Sequence, residues 1–144
     1  MTEPHVAIDG HCLCGSVTVK AAKAATHMGA CHCGMCRKWG GAPFLEVECG
    51  TDVSIDGAEH VTRYESSDWA ERAFCNRCGT HLFYYLKPTG QHMVSIGLFQ
   101  DEHEPEFTSQ IFIDKKSPCY SFANQTETMT EAEVFARAAE QMKD

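Results

Sequence analysis

Seven of the nine cysteines in this 144-residue chain fall into three tight groups, and that grouping constrains the fold more than any other feature. The groups read Cys12-Leu13-Cys14-Gly15, Cys31-His32-Cys33-Gly34-Met35-Cys36 and Cys75-Asn76-Arg77-Cys78-Gly79. Thiolates around a tetrahedral zinc ion sit about 2.3 Å from the metal, so ligating sulfurs must converge to roughly 3.8 Å of one another. A C-x-x-C turn does this by folding back on itself, and a following glycine takes the positive φ that most residues resist. C-x-C does it when the chain bends at the middle residue. One C-x-x-C is a weak signal; three compact groups in one chain are a strong one. A redox C-x-x-C of the thioredoxin type needs a βαβ setting, which is absent here.

Counting divides the ligands. Cys31, Cys33 and Cys36 lie close enough to grip one face of a single ion. Cys12 and Cys14 with Cys75 and Cys78 make four, the number for a closed structural site. Three thiolates leave a position open, as a catalytic or ligand-binding zinc requires. Two zinc ions per chain are therefore expected. The four-cysteine site would tie residue 12 to residue 78. Structural zinc contributes about 10–16 kcal/mol of apparent binding free energy in zinc-finger peptides, as much as the whole net stability of a domain.

Composition sets the context. Hydrophobic residues make up 43%, enough for a core without disulfide staples. The 12 Lys+Arg against 20 Asp+Glu give a net charge of −8, which argues against nucleic acid as the main partner. No run is long enough for a transmembrane helix, so no membrane partner is expected. Residues 1–11 contain Glu3 and Asp9 and no apolar h-region, so no signal peptide is expected and the expected location is cytoplasmic. In that compartment cysteine clusters read as metal sites or reactive thiols, not disulfides.

Short β-like runs recur at residues 17–19, 43–49, 53–55, 61–64, 69–74, 81–86, 93–98 and 106–113. They predict a mainly β fold, a sandwich or folded sheets. No repeat or linker interrupts the chain, so residues 1–144 are expected to form one zinc domain with its core at about 10–122. The end differs. Thr130-Glu131-Ala132-Glu133 has capping-box spacing, and Val134, Phe135, Ala138, Ala139 and Met142 recur at helical spacing. One C-terminal helix over about 130–143 is predicted, with its apolar stripe on the sheet.

Cys49 and Cys119 read as core or surface thiols. His32 sits between two ligands, but alternate side chains of an extended segment point to opposite faces, so it faces away from a metal held by Cys31 and Cys33. It reads as a residue behind the ligands or a proton relay. Trp39 reads as core. Arg37 and Lys38 directly follow the Cys36 ligand and are placed to meet a carboxylate.

The order C-x-C-G, C-H-C-x-x-C-R, G-A-P-F and A-E-R-x-F-C-x-x-C-G-T, here Cys12 to Gly15, Cys31 to Arg37, Gly41 to Phe44 and Ala70 to Thr80, resembles the glutathione-dependent formaldehyde-activating (CENP-V/GFA) family. The segment Ile96 to Asp101 is similar to the family's G-x-L-D segment, departing from it at Phe99 and Gln100, and Ile111 to Ser117 resembles its penultimate strand. The family pattern carries a His near Gln110 and a Trp near Cys119, so the substrate pocket differs where the metal residues do not. The resemblance implies folded β sheets around zinc. Cys12, Cys14, Cys75 and Cys78 would hold a structural ion; Cys31, Cys33 and Cys36 would hold a catalytic one. It also implies a carbon–sulfur lyase-type activity, in which glutathione adds to formaldehyde and gives S-hydroxymethylglutathione. The expected partners are thus a small thiol and a small aldehyde, with Arg37 and Lys38 binding a glutathione carboxylate. Zinc held by three cysteinates is a poor Lewis acid, which favours its use in lowering the pKa of a bound thiol. The competing class is a non-catalytic zinc module that binds a thiol ligand or a partner protein, since one scaffold hosts many functions.

Overall fold

The structure is a computed structural model that describes residues 4–100 and 103–141. It is mostly β, with two helices, one of them C-terminal. In chain order the elements are β1 (His5–His11), β2 (Thr18–Ala25), β3 (His27–Cys31), α1 (Gly34–Gly40), β4 (Phe44–Glu48), β5 (Val53–Asp56) and β6 (Val61–Ser67). There follow β7 (Ala70–Cys75), β8 (His81–Leu86), β9 (Gln91–Ser95), β10 (Glu106–Ile111), β11 (Glu127–Met129) and α2 (Glu131–Gln141). Among the described residues no helix is long and apolar enough to cross a membrane.

The chain divides into two compact units. One is built from the segment ending at His27 together with Glu46–Glu106; the other from Met28–Leu45 and the chain after Glu106. In the first, β1, β2 and β5 form an antiparallel three-stranded sheet, and β4, β9, β8, β7 and β6 follow one another as antiparallel neighbours. Burial alternates with a period of two at Val17 and Val19 and along β9, and these residues with Val47, Val94 and the adjacent Leu82 and Phe83 of β8 supply a closed apolar interior. In the second unit β11 runs parallel to β10, with β3 on the other side of β10.

Most predicted strands are present with shifted ends. Residues 96–98, read as the end of a strand, lie instead in a 3₁₀ turn at Ile96–Phe99 after β9. β1, β3 and the short β11 were not predicted. Neither was α1, whose sequence GMCRKWG has glycine at both ends and no apolar stripe. It forms because Cys33 caps it: the Cys36 amide donates to Cys33 Sγ at 3.3 Å, and Gly41 closes the other end in the left-handed region. α2 starts as its capping box specifies. Thr130 Oγ1 accepts from the Glu133 amide at 3.2 Å, and Glu133 Oε1 accepts from the Thr130 amide at 2.8 Å. Its apolar stripe is not buried as predicted: Val134 and Ala138 are half-buried and Phe135 is 50% exposed, with its ring edge against Phe112. Met142 lies outside the described residues.

Candidate metal centres and a cationic cavity

Two turns of similar construction bring four sulfurs together in the first unit. In the first turn Gly15 N–H donates to Cys12 C=O at 3.1 Å and Cys12 N–H to Val17 C=O at 3.0 Å. In the second, Gly79 N–H donates to Cys75 C=O at 2.8 Å and Cys75 N–H to Thr80 C=O at 2.9 Å. Both glycines have φ near +80°, so a side chain there would be strained. The Leu13 amide donates to Thr80 Oγ1 at 3.1 Å and joins the two turns. The sulfurs of Cys12, Cys14, Cys75 and Cys78 all lie within 4.8 Å of one another; Cys12 to Cys14 is 3.7 Å and Cys14 to Cys75 is 3.8 Å. Those spacings match the edge of a zinc–thiolate tetrahedron and are far from a disulfide.

The surroundings favour anionic sulfur. Val17 N–H donates to Cys12 Sγ at 3.3 Å and Arg77 N–H to Cys75 Sγ at 3.4 Å. Hydrogen bonding to Thr80, through its hydroxyl first and its backbone second, brings the Cys78 thiol down to about 5. Ser16 lowers Cys14 in the same way, whereas burial raises Cys75.

The second cluster is local. Cys31 ends β3, Cys33 caps α1, and Cys36 sits in the first turn of α1; their sulfurs also lie within 4.8 Å of one another. Hydrogen bonding to Cys33 and Cys36, then burial, pushes the Cys31 thiol far up. Three thiols this close cannot ionise together unless a cation offsets them, so the donor set fits a metal ion. Cys49 is no ligand here: it is fully buried, donates to Val47 C=O at 3.6 Å, and burial followed by the Glu48 charge raises it to about 12.

His32 is fully buried, and its ring is not part of the three-thiol cluster. Gln110 spends its amide N–H on Thr126 Oγ1 at 2.9 Å, so its Oε1 faces His32 Nε2 at 2.8 Å and must accept. Nε2 then carries the proton, and Nδ1 accepts from the Tyr120 hydroxyl at 3.3 Å. Burial raises the Tyr120 phenol, which keeps it neutral.

Arg37 and Lys38 do face a common space. With Ser117, Cys119 and Tyr120 they wall a cavity of about 460 Å³ that also touches Gly34 of α1. Arg37 Nη1 donates to Lys115 C=O at 2.9 Å, and Lys116 Nζ donates to the carbonyls of Ser117 and Tyr120, fixing the opposite wall. Sequence reasoning missed Ser117 and Tyr120 as cavity residues, which no motif or spacing marks; Cys119 was read as a core or surface thiol, and only the family's Trp near that position pointed to the pocket. Trp39 is half-buried with its ring edge against Phe44.

A family model for the glutathione-dependent formaldehyde-activating enzymes matches residues 7–115, three-quarters of the chain. This chain belongs to that family. A relative in Schizosaccharomyces pombe, named an uncharacterized lyase, is 37% identical over 88% of this chain and 93% of its own. A Halomonas elongata protein named for glutathione-dependent formaldehyde activation is 28% identical over 54% of this chain and 55% of its own. A solved Rhodobacter sphaeroides structure shares the fold with a TM-score of 0.56 at 23% identity, covering 70% of this chain and all of that one. Among the described residues, the two cysteine clusters are the groups able to hold metal ions.

Proposed function

We propose that this chain is a zinc-dependent carbon–sulfur lyase-type enzyme that joins glutathione, or a similar thiol, to formaldehyde or another small aldehyde. The observation that carries this reading is the gathering of three thiols, not four, at the start of the helix whose Gly34, Arg37 and Lys38 wall the cavity. Cys31, Cys33 and Cys36 would hold the catalytic zinc, and Cys12, Cys14, Cys75 and Cys78 the structural one. A zinc ion with three cysteine ligands supplies a position where an incoming sulfur is held as thiolate, the nucleophilic form. In the reaction the carbon–sulfur bond forms, the C=O π bond breaks, and the thiol proton ends on the new hydroxyl. The names of the relatives support the same chemistry.

The chain's own side chains then bind and orient. Arg37 and Lys38 supply two cations for the carboxylates of a glutathione-like thiol. Arg37 is pre-positioned by its bond to the Lys115 carbonyl, so less side-chain freedom is lost on binding. Tyr120 is held by His32, which fixes that wall of the cavity.

Two expected results test the reading. Purified protein should contain two zinc ions per chain, and gentle chelation should leave one, because a three-ligand site loses its ion first. One ion before chelation removes the second site. Cobalt in place of zinc makes the thiolate ligands visible. Saturating glutathione should strengthen the sulfur-to-metal charge-transfer band at lower concentration than a neutral thiol of similar size. Arg37→Ala should erase that advantage, about tenfold for a lost charge-assisted hydrogen bond, and leave metal content unchanged. A spectrum that glutathione does not move would instead mark a non-catalytic zinc module.

A further inference from the structure

Among the described residues Phe112 alone, glycines aside, has a positive φ, with φ 55° and ψ 41°. A bulky side chain is rarely found there, and such a conformation persists only where its surroundings fix it. The surroundings here include α2. The Phe135 ring meets the Phe112 ring edge-on, with 5.8 Å between centroids. One turn earlier in α2, the Glu131 amide donates to Asp114 Oδ1 at 2.9 Å. Phe112 opens the 3₁₀ turn at Ile113–Lys115, and Asp114 lies within it. α2 therefore grips that turn at two points.

The turn reaches the cavity by one carbonyl. Lys116 N–H donates to Ile113 C=O at 3.2 Å. The Lys115 carbonyl belongs to the same peptide plane as that N–H, so the turn aims it. It accepts from Arg37 Nη1 at 2.9 Å. Arg37 walls the cavity; Phe112, Asp114 and Phe135 do not. A guanidinium on a long side chain stays in one place only while such a bond holds it.

We infer that α2 is a clamp on the cavity: Phe135 and the Glu131 amide hold Phe112 and Asp114, and through the Lys115 carbonyl they fix the guanidinium of Arg37. Phe112, Asp114 and Phe135 are thus positioning residues that act through Arg37. The use made of Arg37 rests on the thiol-binding reading above; the clamp does not.

The first test needs no substrate. Full-length, metal-loaded protein is treated with phenylglyoxal, which modifies arginine, and each arginine is followed by peptide mass spectrometry. Phe135→Ala and Asp114→Ala should each speed modification of Arg37 by about two- to tenfold, the range in an opening equilibrium that loss of one aromatic pair or hydrogen bond allows. Arg63, Arg72 and Arg77 should keep the wild-type rate, which a general loosening of the chain would not leave unchanged. Asp114→Asn keeps an oxygen for the Glu131 amide and should restore the slow rate at Arg37. An unchanged Arg37 in both alanine variants overturns the clamp. So does a rise at all four arginines together, or Asp114→Asn behaving as Asp114→Ala. The second test is a double-mutant cycle on the cobalt spectrum. Phe135→Ala should raise the glutathione concentration required, and should add nothing in an Arg37→Ala background. An equal loss in both backgrounds overturns action through Arg37. Faster modification of Arg37 with glutathione binding unchanged keeps the clamp and counts against Arg37 as the glutathione anchor.

Discussion

Cys75→Ser is expected to abolish folding, while Cys33→Ser leaves a folded chain. Cys75 is fully buried, and its sulfur sits among three others, Cys78 from its own turn and Cys12 and Cys14 from a distant one. A serine hydroxyl stays protonated near neutral pH and is a poor replacement for a thiolate ligand. The metal site it breaks carries about 10–16 kcal/mol in zinc-finger peptides, comparable with the whole stability of a domain. Cys33 does two jobs: it belongs to the three-thiol cluster and it caps α1. Serine is among the best N-cap residues, so its hydroxyl takes over the bond from the Cys36 amide and α1 persists. Far-UV circular dichroism, thermal melts and zinc content on both variants check this. Cys33→Ser should keep the wild-type spectrum with one zinc per chain; Cys75→Ser should lack a cooperative melt. Equal melts for the two would remove the distinction between a structural and a catalytic site.

Gly57→Ala is the second large effect. Gly57 precedes the 3₁₀ turn at Ala58–His60 with φ +80° and ψ 32°. A Cβ there would lie 1.9 Å from the Ser16 carbonyl oxygen and 3.1 Å from its carbon. That is backbone against backbone, so no rotamer change relieves it. The left-handed conformation alone costs an alanine about 1 kcal/mol, and displacing a packed backbone adds about 1–3 kcal/mol. The displaced segment is the turn whose Val17 amide bonds Cys12 Sγ, so the closed metal site loosens with it. Denaturant melts should show a loss of about 2–4 kcal/mol with faster zinc release to a chelator. An unchanged midpoint would show that the turn yields without cost.

The two cysteine clusters were legible in the sequence because metal binding demands short spacings, and spacing is what a sequence displays. Strands of alternating burial were legible for the same reason. α1 was not, since its cause is a thiol cap and not a helical stripe: Cys33 was read as a ligand, and the structure places it as the cap of α1 and within the three-thiol cluster. α2 was legible as a helix from Thr130 and Glu133, but the depth at which Phe135 packs depends on what lies against it. The cavity was half legible. Arg37 and Lys38 follow a ligand and drew attention. Ser117, Cys119 and Tyr120 reach the same space through tertiary bonds, such as that from Arg37 to the Lys115 carbonyl, which leave no local signature.

The two clusters also differ in how far apart their members lie along the chain. Cys31, Cys33 and Cys36 fit within a single turn and the residues before it, so an unfolded chain can already gather them around an ion. Metal captured before folding favours the unfolded ensemble nearly as much as the folded one, and the site adds little to the folding equilibrium. Cys12 and Cys14 can meet Cys75 and Cys78 only after a long loop has closed, so that ion binds almost nothing but the native chain. During synthesis the short cluster can load as soon as Cys36 is made. The long one must wait for Cys78, so its ion would load after that of the short cluster.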